Sequence, residues 1–119
     1  MLVLSNIQND TIHTLKNEQS YAFDVNSQHF LALMLNNSLF IYQNLCPHLN
    51  KRIANDSFHC FDETFSLIEC QFHGAQFTPE KGECVSGPCL GERLQRFIIT
   101  EVDNVFCLLP TSNELKQRT

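Results

Sequence analysis

The sequence predicts an all-β domain with a small inserted subdomain, and three observations lead there. Between residues 21 and 44, short apolar segments are separated by turns rich in Asn. Near the end, two further strand-like segments flank Asp103-Asn104. Between them, from Cys46 to about residue 90, the composition changes. Five of the six cysteines, three of the four prolines and three of the four glycines fall in that stretch.

Taken in order, residues 1–20 are polar and weakly patterned, with a short strand expected around Leu2–Ile7. Tyr21–Val25 alternates and is followed by a turn at Asn26-Ser27-Gln28. His29–Leu35 is a continuous apolar run. Asn36-Asn37 then supplies a two-residue turn, because Asn tolerates positive φ. Ser38–Asn44 alternates again and runs directly into Cys46, so the three segments form an antiparallel meander. Within the middle block, Phe65–Glu69 is expected as a strand delivering Cys70. Ala75–Phe77 and Glu83–Val85 would be its companions, joined by a turn at Pro79-Glu80-Lys81-Gly82. Leu94–Thr100 and Val105–Leu109 close the chain as a hairpin. The tail, residues 111–119, is charged and is expected to fray or form one helical turn.

The 119 residues suffice for one core, so the chain reads as one domain over residues 1–119, with the inserted subdomain at about 45–90. A hydrophobic share of 43% excludes a disordered chain. The net charge of -5 argues against nucleic acid and suits a complementary basic partner. No signal-peptide core is visible, and nothing approaches the ~18 apolar residues of a membrane span. The expectation is a cytoplasmic protein, where thiols stay reduced and cysteines serve as ligands or small core residues.

The strongest chemical signal is Cys46-Pro47-His48, followed after twenty-one residues by Cys70-Gln71-Phe72-His73-Gly74. Thiolates combined with imidazoles suit zinc, iron–sulfur clusters or, less often, copper. Zinc sites with two Cys and two His usually run Cys–Cys then His–His. Here the order is Cys–His then Cys–His, with a single residue inside the first pair. Such pairs can offer one ligand to each of two irons. A structural zinc site is the bland alternative.

These residues resemble the two cluster-binding boxes of Rieske [2Fe–2S] proteins, in which two His replace two Cys on one iron. The resemblance extends over roughly residues 20–110. Gly82 sits where such sequences turn, Ser86-Gly87-Pro88 is similar to their cluster-covering loop, and Leu94–Leu109 is similar to their closing hairpin. It implies an antiparallel sandwich- or barrel-like fold holding one [2Fe–2S] cluster. Cys46 and Cys70 would ligate the inner iron, and His48 and His73 the outer, exposed iron. Gly74 would let backbone N–H groups approach a cluster sulfur, while Leu49 and Phe72 would shield the cluster.

Departures from the family pattern sharpen the expectation. Lys51 and Phe72 stand where respiratory-type members carry an extra disulfide, and Ala75 and Phe77 stand where they carry Ser and Tyr donors. The usual Gly of the first box is Asn50. The link between the boxes is longer than in related ferredoxins, with Phe58–Thr64 as an extra surface loop. Within the family, the compact single-domain form resembles the Rieske-type ferredoxins of bacterial oxygenase systems. That resemblance implies a non-enzymatic electron carrier, monomeric in isolation, between an NAD(P)H-dependent flavin reductase and a terminal oxygenase. The rival role is the small subunit of an NADH-dependent nitrite reductase, with that enzyme's large subunit as partner. Cys60, Cys84, Cys89 and Cys107 read as core or loop thiols in preference to a second metal site through Cys84-x4-Cys89. His13, His29 and His59 have no ligand role in this reading. Lys51 and Arg52 are either a steering patch or solvated charges, and Asp62-Glu63, Glu80 and Glu83 face the same choice.

Overall fold

The computed structural model describes residues 2–47, 52–53, 60–70, 74–87 and 89–111. The fold is built from β1 (Leu2–Val3), α1 (Asn6–His13), β2 (Gln19–Val25), β3 (Gln28–Leu35), β4 (Ser38–Gln43), β5 (Ile68–Glu69), β6 (Gln76–Phe77), β7 (Cys84–Ser86), β8 (Arg96–Val102) and β9 (Val105–Pro110). Nearly every element is an antiparallel strand, as expected for an all-β chain. A six-stranded sheet runs in the order β1-β9-β8-β4-β3-β2, and a three-stranded sheet in the order β5-β6-β7.

The hairpins follow from the turn residues. Asn26-Ser27, Asn36-Asn37 and Asp103-Asn104 all have φ between 50° and 68° at both central positions. Two consecutive positive φ values are the geometry that matches the right-handed twist of paired strands. Here no glycine is needed, because Asn and Asp bear the left-handed region better than most residues.

The apolar run of β3 has a simple cause: both of its faces are buried. Phe30 and Ala32 enter one core with Leu4, Ile12, Phe23, Val25, Ile41, Phe97 and Leu108. Within that core Phe30 lies between Phe23, at 5.7 Å, and Phe97, which meets it edge-on at 5.0 Å. The alternate residues, Leu31 and Leu33, enter a second core with Tyr42, Ile53, Ile68, Phe77 and Leu94. That second core also holds Cys46, Cys60, Cys70, Cys84 and Cys89. One strand therefore serves as the wall between the large-sheet core and the core under the small sheet.

Two expectations are corrected. The strand predicted around Leu2–Ile7 ends at Val3, and the chain turns into α1. The Ser5 hydroxyl accepts the Gln8 amide, and the Gln8 side chain accepts the Ser5 amide, a capping box that satisfies two otherwise orphaned donors. The Gln8 side-chain amide also donates to the Asp24 carbonyl on β2. The helix thus ties one edge strand of the curled sheet to the chain leaving the other. The strand predicted over Phe65–Glu69 is confined to Ile68–Glu69. Phe65 has φ +57°, and the preceding residues form a polar turn organised by Asp62. The expected tail beyond Thr111 lies outside the described residues.

Candidate cluster-binding site

The two boxes leave the fold as loops, each fastened at its base. The first follows β4. Asn44, 2% exposed, donates its backbone N–H to the His29 carbonyl, and its side-chain oxygen accepts the Ile53 amide at 2.8 Å. That bond ties Ile53 to the end of β4, and Cys46 follows two residues after Asn44. The second box is a hairpin loop between β5 and β6. Cys70 N–H donates to the Ala75 carbonyl at 2.7 Å, and Gly74 N–H donates to the Cys70 carbonyl at 3.0 Å. Gly74 has φ +71°, so a side chain there would be strained. Its amide closes the turn.

Cys46 and Cys70, twenty-four positions apart, are both buried, at 0% and 1% exposure, in the same core. Both of these expected ligands are thus buried within one core. The other two, His48 and His73, lie outside the described residues, as do Leu49, Asn50, Lys51, His59 and Phe72. Among the described residues no group of three or more His, Cys, Asp or Glu forms a metal site by itself.

The small sheet is strapped to the large one by Tyr42 and Gly82. The Tyr42 hydroxyl donates to the Pro79 carbonyl at 2.5 Å. Burial pushes the phenol's pKa up, opposed by the Arg96 guanidinium and reinforced by Glu80, so it remains a neutral donor. Gly82, with φ +66°, lies under the ring: a Cβ there would come within 2.7 Å of Tyr42 Cε1. Neither Asn44 nor Tyr42 was singled out from sequence. Each reads there as an ordinary member of an alternating strand, and only burial reveals the bond it makes.

The link between the boxes is partly core. Cys60, expected in a surface loop at Phe58–Thr64, is fully buried, and Phe61 pairs with Ile68 in an isolated antiparallel bridge. Burial pushes the Cys60 thiol up to about 12, partly offset by the Ser20 hydroxyl. It is a neutral core thiol near pH 7. Phe58 and His59 lie outside the described residues. Arg52 lies 3.8 Å from the Asp24 carboxylate, which also meets His29 Nδ1 at 2.8 Å. Both side chains of the Arg52–Asp24 pair stay exposed, at 44% and 55%.

Asp62 shapes the approach to Cys70. Its carboxylate accepts the amides of Ser66 and Leu67, at 2.9 and 3.0 Å, and the Thr64 hydroxyl at 2.8 Å. Desolvation raises its pKa, but the Leu67, Thr64 and Ser66 donors outweigh that and hold it below the ordinary 3.8. A depressed carboxyl contributes stability above its unfolded pKa, and that contribution is lost as pH falls through the folded value. Hydrogen exchange should therefore show the Ser66 and Leu67 amides losing protection in acid, below about pH 4. In Asp62→Ala that acid dependence should vanish, with protection already low at neutral pH.

No curated protein matches the chain. Among the described residues, no helix is long and apolar enough to cross a membrane. Solved structures do match. The ferredoxin of carbazole 1,9a-dioxygenase from Nocardioides aromaticivorans IC177 is 20% identical, with a TM-score of 0.62, covering 93% of this chain and 97% of that one. The Sphingomonas yanoikuyae B1 ferredoxin is 18% identical, with a TM-score of 0.60 and coverage of 94% and 98%. A chain from a complex of reduced oxygenase and oxidized ferredoxin in carbazole 1,9a-dioxygenase is 16% identical, with a TM-score of 0.60 and coverage of 82% and 95%. At such identities the likeness is one of fold. The Rieske [2Fe-2S] domain family matches residues 7–108, which is most of the sequence. The chain belongs to that family, and its cofactor is one Rieske-type [2Fe–2S] cluster.

Proposed function

We propose that the protein is a one-electron carrier, with Cys46 and Cys70 as ligands of the inner iron and His48 and His73 as ligands of the outer one. The observation that carries this reading is the burial of Cys46 and Cys70 in one small core, each at the base of a fastened loop. The donors suit the group: soft thiols held out of water on two separate loops, and no disulfide among the described cysteines. When bound, the cluster supplies reversible one-electron chemistry. The chain's own residues do the rest. Asn44 and the Cys70–Ala75 hairpin bond hold the loops, Tyr42 holds the small sheet, and Phe77 and Ile53 exclude water from the inner side.

In this reading one domain spans the chain, and residues 45–90 carry the cluster. Electrons arrive from an NAD(P)H-dependent flavin reductase and leave to a terminal oxygenase, in the cytoplasm. An oxygenase partner is supported by the fold shared with a ferredoxin solved in complex with an oxygenase. The test is the visible absorbance and paramagnetic resonance of the purified protein before and after dithionite, followed by turnover with a flavin reductase and a Rieske-type oxygenase. The oxidised protein should be coloured and should give a one-electron signal only when reduced. A colourless protein containing zinc would overturn the cluster site. A coloured protein that neither component reduces or oxidises would overturn the carrier role.

A further inference from the structure

Two cysteines that the electron-carrier reading leaves without a task stand beside its site. Cys84 opens β7, and Cys89 lies five residues on, after Ser86-Gly87-Pro88 in the sequence. Their sulfurs are 2.7 Å apart. Cys89 Sγ donates to Cys84 Sγ, so the two free thiols are in direct contact. The backbone sets the approach. Cys84 N–H donates to the Glu92 carbonyl at 2.8 Å, Gly91 N–H returns to the Cys84 carbonyl at 3.3 Å, and Glu92 N–H donates to the Cys89 carbonyl at 2.9 Å. Those bonds fold the segment back on Cys84 and hold the two cysteines side by side.

The segment between them presses on the second ligand loop. A Cβ on Gly87, at φ +104°, would come within 2.8 Å of the Ala75 Cα, and Ala75 closes the hairpin at Cys70. The segment between the two cysteines thus lies against the second box. Cys89 also shares its buried core with Cys46. The pair is buried, at 2% and 0% exposure, while the chain neighbours Val85 and Leu90 are exposed, at 44% and 69%.

We propose that Cys84 and Cys89 form a reversible disulfide that clamps the 84–89 loop onto the second ligand loop. The oxidant is a low-molecular-weight disulfide. Both S–H bonds break, the Sγ–Sγ bond forms, and the two electrons and two protons pass to the small disulfide, which leaves as two thiols. Closing this bond also withholds Cys89 from Cys46, the mispairing that would consume a proposed ligand.

The experiment uses the holoprotein, exposed to oxidised glutathione or to a phosphine reductant, denatured, alkylated and digested with trypsin. Lys81 and Arg93 bracket both cysteines in the single peptide Gly82–Arg93. After oxidation this peptide should be unalkylated and lighter by two hydrogens, and after the phosphine it should carry two alkyl groups. A peptide doubly alkylated after oxidation, or one cross-linked to the Cys46 peptide, overturns the proposal. The mass readout does not depend on the cluster or on any redox partner. Release of iron to a ferrous chelator then reports the clamp. It should be severalfold slower in the oxidised wild type than in the phosphine-treated wild type or in the Cys84→Ala/Cys89→Ala double variant. Equal rates in the two wild-type samples would show that the bond clamps nothing.

Discussion

Replacing Cys70 with Ala is expected to yield a colourless protein with almost no bound iron, and Cys46→Ala should do the same. Cys107→Ala is the informative contrast. Cys107 is as buried as Cys70, at 1%, but it lies on β9 with its sulfur near the Val105 carbonyl. Cys60→Ala is a second contrast, since Cys60 shares the small core with Cys70 but is not in either box. Losing a buried sulfur of that size should cost stability on the order of 1 kcal/mol, with colour and iron content kept. Iron analysis and the visible spectrum separate the groups. Retention of the cluster in Cys70→Ala would refute the ligand assignment, and its loss in Cys107→Ala or Cys60→Ala would show that colour follows core packing instead.

The midpoint potential is expected at about -150 mV, the low end of the Rieske range. The cause lies in Ala75 and Phe77, both fully buried and both without a hydroxyl. A reduced cluster carries extra negative charge, and each donor aimed at it stabilises that charge. Ala75→Ser offers one such donor. A hydrogen bond to a charged group is worth about 1.5–3 kcal/mol. For a single electron, where a tenfold change in equilibrium is 59 mV, that is a rise of roughly 60–130 mV. A spectroelectrochemical titration measures both values. A strongly positive wild-type midpoint would contradict the first, and an unmoved midpoint in Ala75→Ser would show that position 75 does not face the cluster.

The parts of the fold legible in the sequence are those with a local cause. Asn36-Asn37 and Asp103-Asn104 announced their hairpins because few residues accept two successive positive φ values. The continuous run of β3 stood out because it meets an apolar environment on both faces. Helix α1 was missed although Ser5-x-x-Gln8 spells its cap. Only Ile12 is fully buried in it, Ile7 is 76% exposed, and so the apolar periodicity was too faint to register. Phe65–Glu69 alternates like a strand, but the Asp62 carboxylate captures the Ser66 and Leu67 amides that a strand would need.

At the site, the Cys/His pairs stand out because their spacing is written along the chain. The supporting contacts do not. Asn44 to Ile53, Tyr42 to Pro79 and Gly87 against Ala75 each join segments whose meeting depends on how the small sheet docks. The same holds for Cys84 and Cys89. An x4 spacing says nothing of a turn that folds back to lay one sulfur on the other.

The double-faced burial of β3 has a thermodynamic corollary. A wall shared by two cores leaves neither half able to melt alone: removing the packing from Leu31 and Leu33 exposes the strand whose other face anchors Phe30 and Ala32. Domains joined this way unfold as one cooperative unit. Stripping the cluster from its loops should therefore be felt at β2 and β9, as a lowered melting temperature for the whole chain and not as local fraying at the tip.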